Sequence, residues 1–162
     1  MDLPQLSGTS GGTDGARHLI RPCTPEDLAW MIDLAVARYP GGFDHAQAKA
    51  WIPTRMAQDN MFFVRGERGC GVANLIRRFN APDRLQCYML FIAAHPCTGA
   101  NLMEPFHLMD AMRDWGKDRG ATAFWFSDIT GYDFAAYAKR RGGRLAGHTY
   151  VIDLDGKGTP YG

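Results

Sequence analysis

The segment 85–119, LQCYMLFIAAHPCTGANLMEPFHLMDAMRDWGKDR, decides how this chain folds. Residues 85–94 are apolar except for Gln86, which predicts a buried strand. Residues 95–101 predict a short loop, and the apolar side chains that follow, at 102–119, recur at the spacing of a helix. A strand that leads into a helix N-terminus presents backbone N–H groups that suit a phosphate. The order of elements therefore indicates a place for a phosphate-bearing cofactor.

The residues at this helix start do not favour an anion. The loop contains one glycine, Gly99, and the helix opens with Glu104 and Pro105. Glu104 places a negative charge where a phosphate would lie, and Pro105 has no N–H to donate. An acid in the first helical turn is also explained without any ligand, because it complements the helix dipole by ~0.3–1 kcal/mol. Both interpretations remain open, and the residue types favour the structural one.

Composition sets the outer bounds. The chain has 162 residues, of which 46% are hydrophobic and 22% charged, as expected for one globular domain. Its net charge of +1 argues against a nucleic-acid partner. No apolar run reaches the ~18 residues of a membrane helix, and the N-terminus lacks the pattern of a secretory signal. We therefore expect no membrane association and a cytoplasmic location.

The four cysteines, Cys23, Cys70, Cys87 and Cys97, show no C-x-x-C spacing. This is typical of a reduced compartment. Cys87 and Cys97 together with His95 can be considered as metal ligands, but no fourth ligand is apparent. Cysteines in strands usually behave as small apolar side chains. We expect no metal site.

The two ends differ in composition from the rest. Residues 1–16 are rich in Gly, Ser, Thr and Asp, and residues 155–162 are similar. Such segments bury little apolar surface, which predicts flexible tails around one domain at 17–154. Either the tails are inert or they dock on partners.

Between the tails the pattern predicts β-α-α-β-β-β-α-β-α-β(β), a mixed sheet of the α/β or α+β kind with helices on both faces. Thr24 and Asp44 are candidate N-caps, Pro53 is a candidate kink, and Tyr39 begins the break after the first helix. The expected strands are 18–21, 61–65, 71–78, 85–94, 121–127 and 144–154, the last being one strand or a bent pair. Two helices are expected to begin at the N-caps Thr24 and Asp44. Two more are expected at 102–119 and 133–141, and turns are expected at 66–71 and 80–84.

That order, together with four local motifs, resembles the GCN5-related N-acetyltransferase (GNAT) superfamily. The motifs are IRPCTPEDL at 20–28, His95-Pro96 after the central strand, WGKDRGA at 115–121 and AAYAKRRG at 135–142. The resemblance covers about 17–154. It implies the GNAT-like acyl-CoA N-acyltransferase fold, with a mixed, mostly antiparallel sheet flanked by helices.

The resemblance implies transfer of an acetyl group from acetyl-CoA to an amine substrate. In that family the central strand splays from its neighbour, and its backbone binds the pantetheine arm and polarises the thioester. Those positions fall here on Phe91, Ile92 and Ala93. The pyrophosphate would lie on the loop carrying Thr98, Gly99, Ala100 and Asn101. Tyr137 would protonate the leaving thiolate, and Asp128 would accept a proton or bind the amine.

The chain departs from the family pattern at two places. The loop glycines of the family motif Q/R-x-x-G-x-G/A are replaced by Asn101, Met103 and Pro105. The family's tyrosine position falls on Ala138. A register shift at Gly142-Gly143 would bring Tyr137, one residue earlier, into that position, and Tyr132 is a further candidate. Asp128 can equally cap the turn before the last helix.

Two functions from different classes follow. The first is an acetyl-CoA-dependent N-acetyltransferase with a degenerate pyrophosphate loop. The alternative is a non-catalytic GNAT-like bacteriophage structural or assembly protein, which would act as a protein-binding module in a virion. The second hypothesis predicts a partner protein, a homo-oligomer or a virion assembly instead of an amine substrate.

Overall fold

The computed structural model describes residues 20–41, 44–96, 103–127, 134–146 and 149–156. The strands are β1 (Arg21–Pro22), β2 (Met61–Arg65), β3 (Gly69–Arg78), β4 (Ala81–Ala94), β5 (Ala123–Ser127), β6 (Arg144–Ala146) and β7 (Thr149–Asp153). The helices are α1 (Leu28–Arg38), α2 (His45–Met56), α3 (Glu104–Asp118) and α4 (Phe134–Arg140), with a short 3₁₀ turn at Pro25–Asp27 before α1. The N-terminal tail predicted at 1–16 and most of the tail predicted at 155–162 lie outside these residues.

The strands form one seven-stranded sheet in the order β1-β2-β3-β4-β5-β7-β6. Neighbouring strands are antiparallel except β4 and β5, which are parallel. The mixed, mostly antiparallel sheet and its flanking helices confirm the fold class predicted from the sequence.

Helices cover both faces of this sheet. In β2, Phe63 packs with residues of α1 and α2, whereas the next residue, Val64, packs with residues of α3 and α4. Consecutive strand residues point to opposite faces, so the two helix pairs lie on opposite sides. The apolar face of α3 carries Leu108, Met109, Met112 and Trp115, all of which belong to the largest cluster of buried apolar residues.

Local sequence signals explain the first two helices. Asp44 Oδ1 accepts the backbone N–H of Gln47 at 2.6 Å, which is the N-cap expected of it. The N–H of Thr24 donates to the carboxylate of Asp27 at 2.9 Å at the turn before α1. Helix α2 continues through Pro53 to Met56.

The structure corrects the turn predicted at 80–84. Strand β4 begins at Ala81, because the β3–β4 ladder reaches Arg78 opposite Ala81 after a register irregularity. Pro82 lacks an N–H, and prolines within sheets are confined to edge strands, strand starts and irregular positions such as this one. Its carbonyl accepts the guanidinium of Arg77 at 3.1 Å. For the final segment the sequence left one strand or a bent pair open. The structure shows a pair, the antiparallel strands β6 and β7.

Candidate functional site

Strand β4 is paired with β5 over only part of its length. The paired residues are Gln86 with Ala123, Cys87 with Phe124 and Tyr88 with Trp125. Beyond Tyr88, β4 continues to Ala94, and within the described residues no strand lies against it on that side. We call this side of β4, from Met89 to Ala94, the open edge. The sequence resemblance implies a splay of the central strand at this position.

A β-bulge lies where the open edge begins. Val72 of β3 is opposite Phe91, but the next residue, Ala73, is opposite Met89, so Leu90 is the extra residue. A bulge bends its strand and alters the alternation of side chains. Met89 and Ile92 accordingly pack toward α3, while Leu90 and Phe91 both line a cavity on the side of α1 and α2.

Hydrogen bonds show which backbone groups of β4 face the open edge. The carbonyl of Arg68 accepts the N–H of His95 at 2.9 Å, so alternation turns Phe91 and Ala93 toward β3. Ile92 faces the other way, and its carbonyl accepts the hydroxyl of Tyr39 at 2.5 Å. The N–H of a strand residue points to the same side as its carbonyl. Among Phe91, Ile92 and Ala93, the geometry therefore favours Ile92 as a backbone donor at the open edge.

Tyr39 reaches this edge from the end of α1. Its N–H closes the helix on the carbonyl of Ala35 at 3.0 Å, and its ring packs on Phe91 with ring centroids 5.1 Å apart. The sequence indicated only that Tyr39 begins the helix break. The sequence did not indicate that Tyr39 contacts the open edge, because its partner Ile92 lies 53 residues further along the chain.

Tyr137, the predicted acid, is buried in the interface between α3 and α4. Only 3% of its surface is exposed, its hydroxyl donates to Asp110 Oδ1 at 3.0 Å, and its ring stacks on Phe106. Burial raises the pKa of Tyr137 well above its ordinary value, and the negative charge of Asp110 raises it further. A phenol in this environment is a weak proton donor, because its phenolate is disfavoured.

Asp110 is the centre of a charged network that sequence reasoning missed. Its carboxylate accepts Arg141 Nε at 2.9 Å and Arg141 Nη2 at 2.5 Å, and it also accepts Arg113 Nη1 at 2.8 Å. The only signal in the sequence is an acid on the apolar side of α3, one turn after Phe106. The network ties α3 to the end of α4.

The start of α3 is occupied by its own carboxylate. Glu104 is 7% exposed, and its Oε1 accepts the backbone N–H of Arg68, in the β2–β3 turn, at 2.8 Å. The carboxylate packs so closely on Gly66 that a side chain there would collide with it. Glu104 thus has a structural partner, and its negative charge stays at the helix start.

Several predicted site residues lie outside the described residues. They are Thr98, Gly99, Ala100 and Asn101 of the loop before α3, and Asp128 with the alternative Tyr132. Their roles, like those of Phe91, Ile92, Ala93 and Tyr137, stay predictions.

The described residues contain no group of three or more His, Cys, Asp or Glu placed to hold a metal ion. Cys87 behaves as a small apolar side chain: it is fully buried, its Sγ lies 3.6 Å from the carbonyl of Met112, and burial raises the pKa of its thiol to about 12. None of the helices described is long and apolar enough to span a bilayer.

No protein-family model matches this chain, and no curated protein matches it in sequence. Solved structures do match it in fold. A GNAT family acetyltransferase from Brucella melitensis, in complex with acetyl-CoA, superposes with a TM-score of 0.65 at 15% identity, over 88% of this chain and 91% of that one. The ribosomal-protein-S18-alanine N-acetyltransferase from Escherichia coli has a TM-score of 0.61 at 11% identity, over 87% of this chain and 96% of its own.

An aminoglycoside 6'-N-acetyltransferase from Acinetobacter haemolyticus has a TM-score of 0.58 at 14% identity, over 76% of this chain and 87% of its own. At these identities the likeness establishes the fold. The chain adopts the GNAT acyl-CoA N-acyltransferase fold, as the sequence resemblance implied.

Proposed function

We propose that this chain is an acetyl-CoA-dependent N-acetyltransferase. The observation that carries the proposal is the open edge of β4: among the described residues its pairing with β5 ends at Tyr88, although β4 continues to Ala94. Backbone groups without a neighbouring strand suit a ligand that carries amides of its own, and the pantetheine arm is such a ligand. The acetyltransferases that share the fold support the same activity.

The described residues fit one part of acetyl-CoA better than another. The open edge suits the pantetheine arm and the thioester. The start of α3 suits the pyrophosphate poorly, because Glu104 brings a negative charge and Pro105 lacks an N–H. We assign the pyrophosphate to the loop of Thr98, Gly99, Ala100 and Asn101. When bound, acetyl-CoA supplies an acetyl group activated as a thioester.

The chain's own residues then perform three tasks. The N–H of Ile92 polarises the thioester carbonyl and stabilises the charge that develops on its oxygen, as a backbone oxyanion donor does. Asp128 accepts the proton of the attacking amine. Protonation of the departing sulfur falls to Tyr137, whose hydroxyl must first leave its buried hydrogen bond to Asp110.

One alternative has observations of its own. A non-catalytic binding module, including the bacteriophage assembly protein considered above, would explain why Glu104 and Tyr137 are both held in structural contacts. Such a protein would keep the fold without binding the cofactor.

Calorimetric titration of acetyl-CoA into the full chain separates the two functions. The enzyme predicts a micromolar dissociation constant and slower hydrogen exchange of the Ile92 amide in the complex. Desulfo-CoA, which keeps most of the pantetheine arm but has no thioester carbonyl, is the matched control and should leave the exchange of this amide nearly unchanged. No heat at millimolar acetyl-CoA would support the binding module and overturn the enzyme.

A further inference from the structure

A cavity of about 220 Å³ lies between the first two helices and the sheet. Its walls include Met31 and Ala35 from α1, Trp51 and Ile52 from α2, and Leu90 and Phe91 from β4. Every one of these side chains is apolar, so the cavity suits a hydrocarbon or aromatic group.

The cavity adjoins the open edge of β4. Leu90 and Phe91, which form its wall, are the residues at the bulge where the edge begins. The ring of Phe91 contacts Tyr39, and the Tyr39 hydroxyl bonds to the carbonyl of Ile92. A ligand seated in the cavity would therefore have its other end beside the backbone to which we assign the thioester.

The surrounding charges argue against a polycationic ligand. Helix α2 carries no acid, and the acid of α1, Asp33, is not part of the cavity wall; its side chain is 71% exposed and lies 3.7 Å from Nε2 of His45. The described residues that line the cavity include no carboxylate, so a second ammonium group inside it would lose its hydration and gain no opposite charge from them, which is costly. The occupant is thus expected to carry its charge at one end only.

The volume sets the size of the apolar group. A dry cavity of roughly 150 Å³ lined by apolar side chains holds benzene. About 220 Å³ leaves room for one aromatic ring with a short linker, or for a branched alkyl chain of similar volume.

We propose that the acetyl acceptor is a primary monoamine with one aryl or short alkyl group, which binds in this cavity and presents its nitrogen at the open edge. The inference rests on the proposed function, since that function locates the thioester. It separates this chain from the aminoglycoside acetyltransferases that share its fold, because aminoglycosides carry several amines.

The test compares 2-phenylethylamine with 1,4-diaminobutane in calorimetric titrations of the full chain. Leu90 is 43% exposed at the cavity, so Leu90→Trp fills the space without burying a new residue in the core. Leu145→Trp is the matched control, because Leu145 is 61% exposed on β6 and is not part of the cavity wall. We expect 2-phenylethylamine to bind at least about tenfold more tightly than the diamine, and Leu90→Trp alone to remove that preference.

Equal or tighter binding of the diamine, or no effect of Leu90→Trp, would overturn the inference. Titration of acetyl-CoA into the same variants keeps the two proposals apart. If acetyl-CoA binds and the diamine is the better acceptor in an acetylation assay, the enzyme stands and the inference fails. If 2-phenylethylamine binds in the cavity but acetyl-CoA does not, the amine site stands and the acetyltransferase proposal fails.

Discussion

The hydroxyl of Tyr137 donates a hydrogen bond to Oδ1 of Asp110 at 3.0 Å, and Arg113 and Arg141 hold the same carboxylate. Asp110 is 8% exposed, so one nearly buried charge is shared among three donors from two segments of the chain. A buried charge of this kind requires its partners. If one partner is removed, the charge that remains is buried without compensation, which is costly.

Replacement of Asp110 by alanine should lower the free energy of unfolding by about 2–4 kcal/mol. This loss is at the low end of what breaking a buried ion pair costs, because Arg141 is partly exposed. Tyr137→Phe should cost about 1 kcal/mol, the usual net contribution of one hydrogen bond. Denaturant unfolding measures both. Asp114→Ala is the control, since Asp114 is 57% exposed and pairs with Arg113 at the surface. Equal losses for Asp110→Ala and Asp114→Ala would contradict the structural role of the network.

Asp27 should make the free energy of unfolding depend on pH in the acid range. The hydrogen bond from Arg21 holds the pKa of Asp27 well below its ordinary value, and Arg65 acts in the same direction. A lowered folded pKa contributes stability above the unfolded pKa of about 3.9, and this stability is lost as the pH falls below it. We expect a slope of up to about 1.4 kcal/mol per pH unit from this group.

Asp27→Asn tests this dependence, measured by urea unfolding between about pH 2.5 and 6. The variant should be less stable than the parent at pH 6 and should lose less stability on acidification. A parallel pH profile in parent and variant would show that Asp27 titrates alike in the folded and unfolded chain.

Removal of the charge at the start of α3 should strengthen cofactor binding. Glu104→Gln keeps an oxygen to accept the Arg68 N–H but no longer repels the pyrophosphate. An interaction of about 0.5–1 kcal/mol near a helix terminus corresponds to roughly a two- to fivefold lower dissociation constant for acetyl-CoA. The matched control is Asp118→Asn, which removes a charge at the far end of the same helix. Unchanged affinity in Glu104→Gln would place the pyrophosphate away from this helix start.

Gly116 of α3 packs directly against β4. A methyl group there would lie 2.6 Å from Cβ of Cys87, a distance that the backbone must relieve by moving. Gly116→Ala should therefore destabilise the fold by about 1–3 kcal/mol despite the higher helix propensity of alanine. Thermal unfolding measures the loss, and Lys117→Ala, on the exposed side of α3, should stay within about 0.5 kcal/mol of the parent. A stabilised Gly116→Ala would mean that α3 lies further from the sheet.

Hydrophobic periodicity and helix-capping residues were sufficient to predict the main strands and helices. The apolar run at 85–94 lies within β4, and the helical spacing after it became α3, because buried strands and amphipathic helices are encoded by neighbouring residues. Asp44 was recognised as a cap for the same reason, since its partner Gln47 is three residues away.

The site itself depended on partners far apart in sequence. Asp110 meets Arg141 across 31 positions, and Tyr39 meets Ile92 across 53. No local pattern specifies such pairs. The bulge at Leu90 was equally invisible, because the run from Tyr88 to Ala94 is apolar on both faces and shows no break in alternation.

Leu90 shapes the amine pocket without setting the direction of the backbone donor. Met89 already faces α3, so deletion of Leu90 would restore regular alternation and leave Phe91 on the α1 side and Ile92 on the α3 side. The amine pocket would lose one wall, while the N–H of Ile92 would still face the open edge. A lineage that drifts to a larger acceptor can therefore shorten this strand by one residue and keep the donor in place.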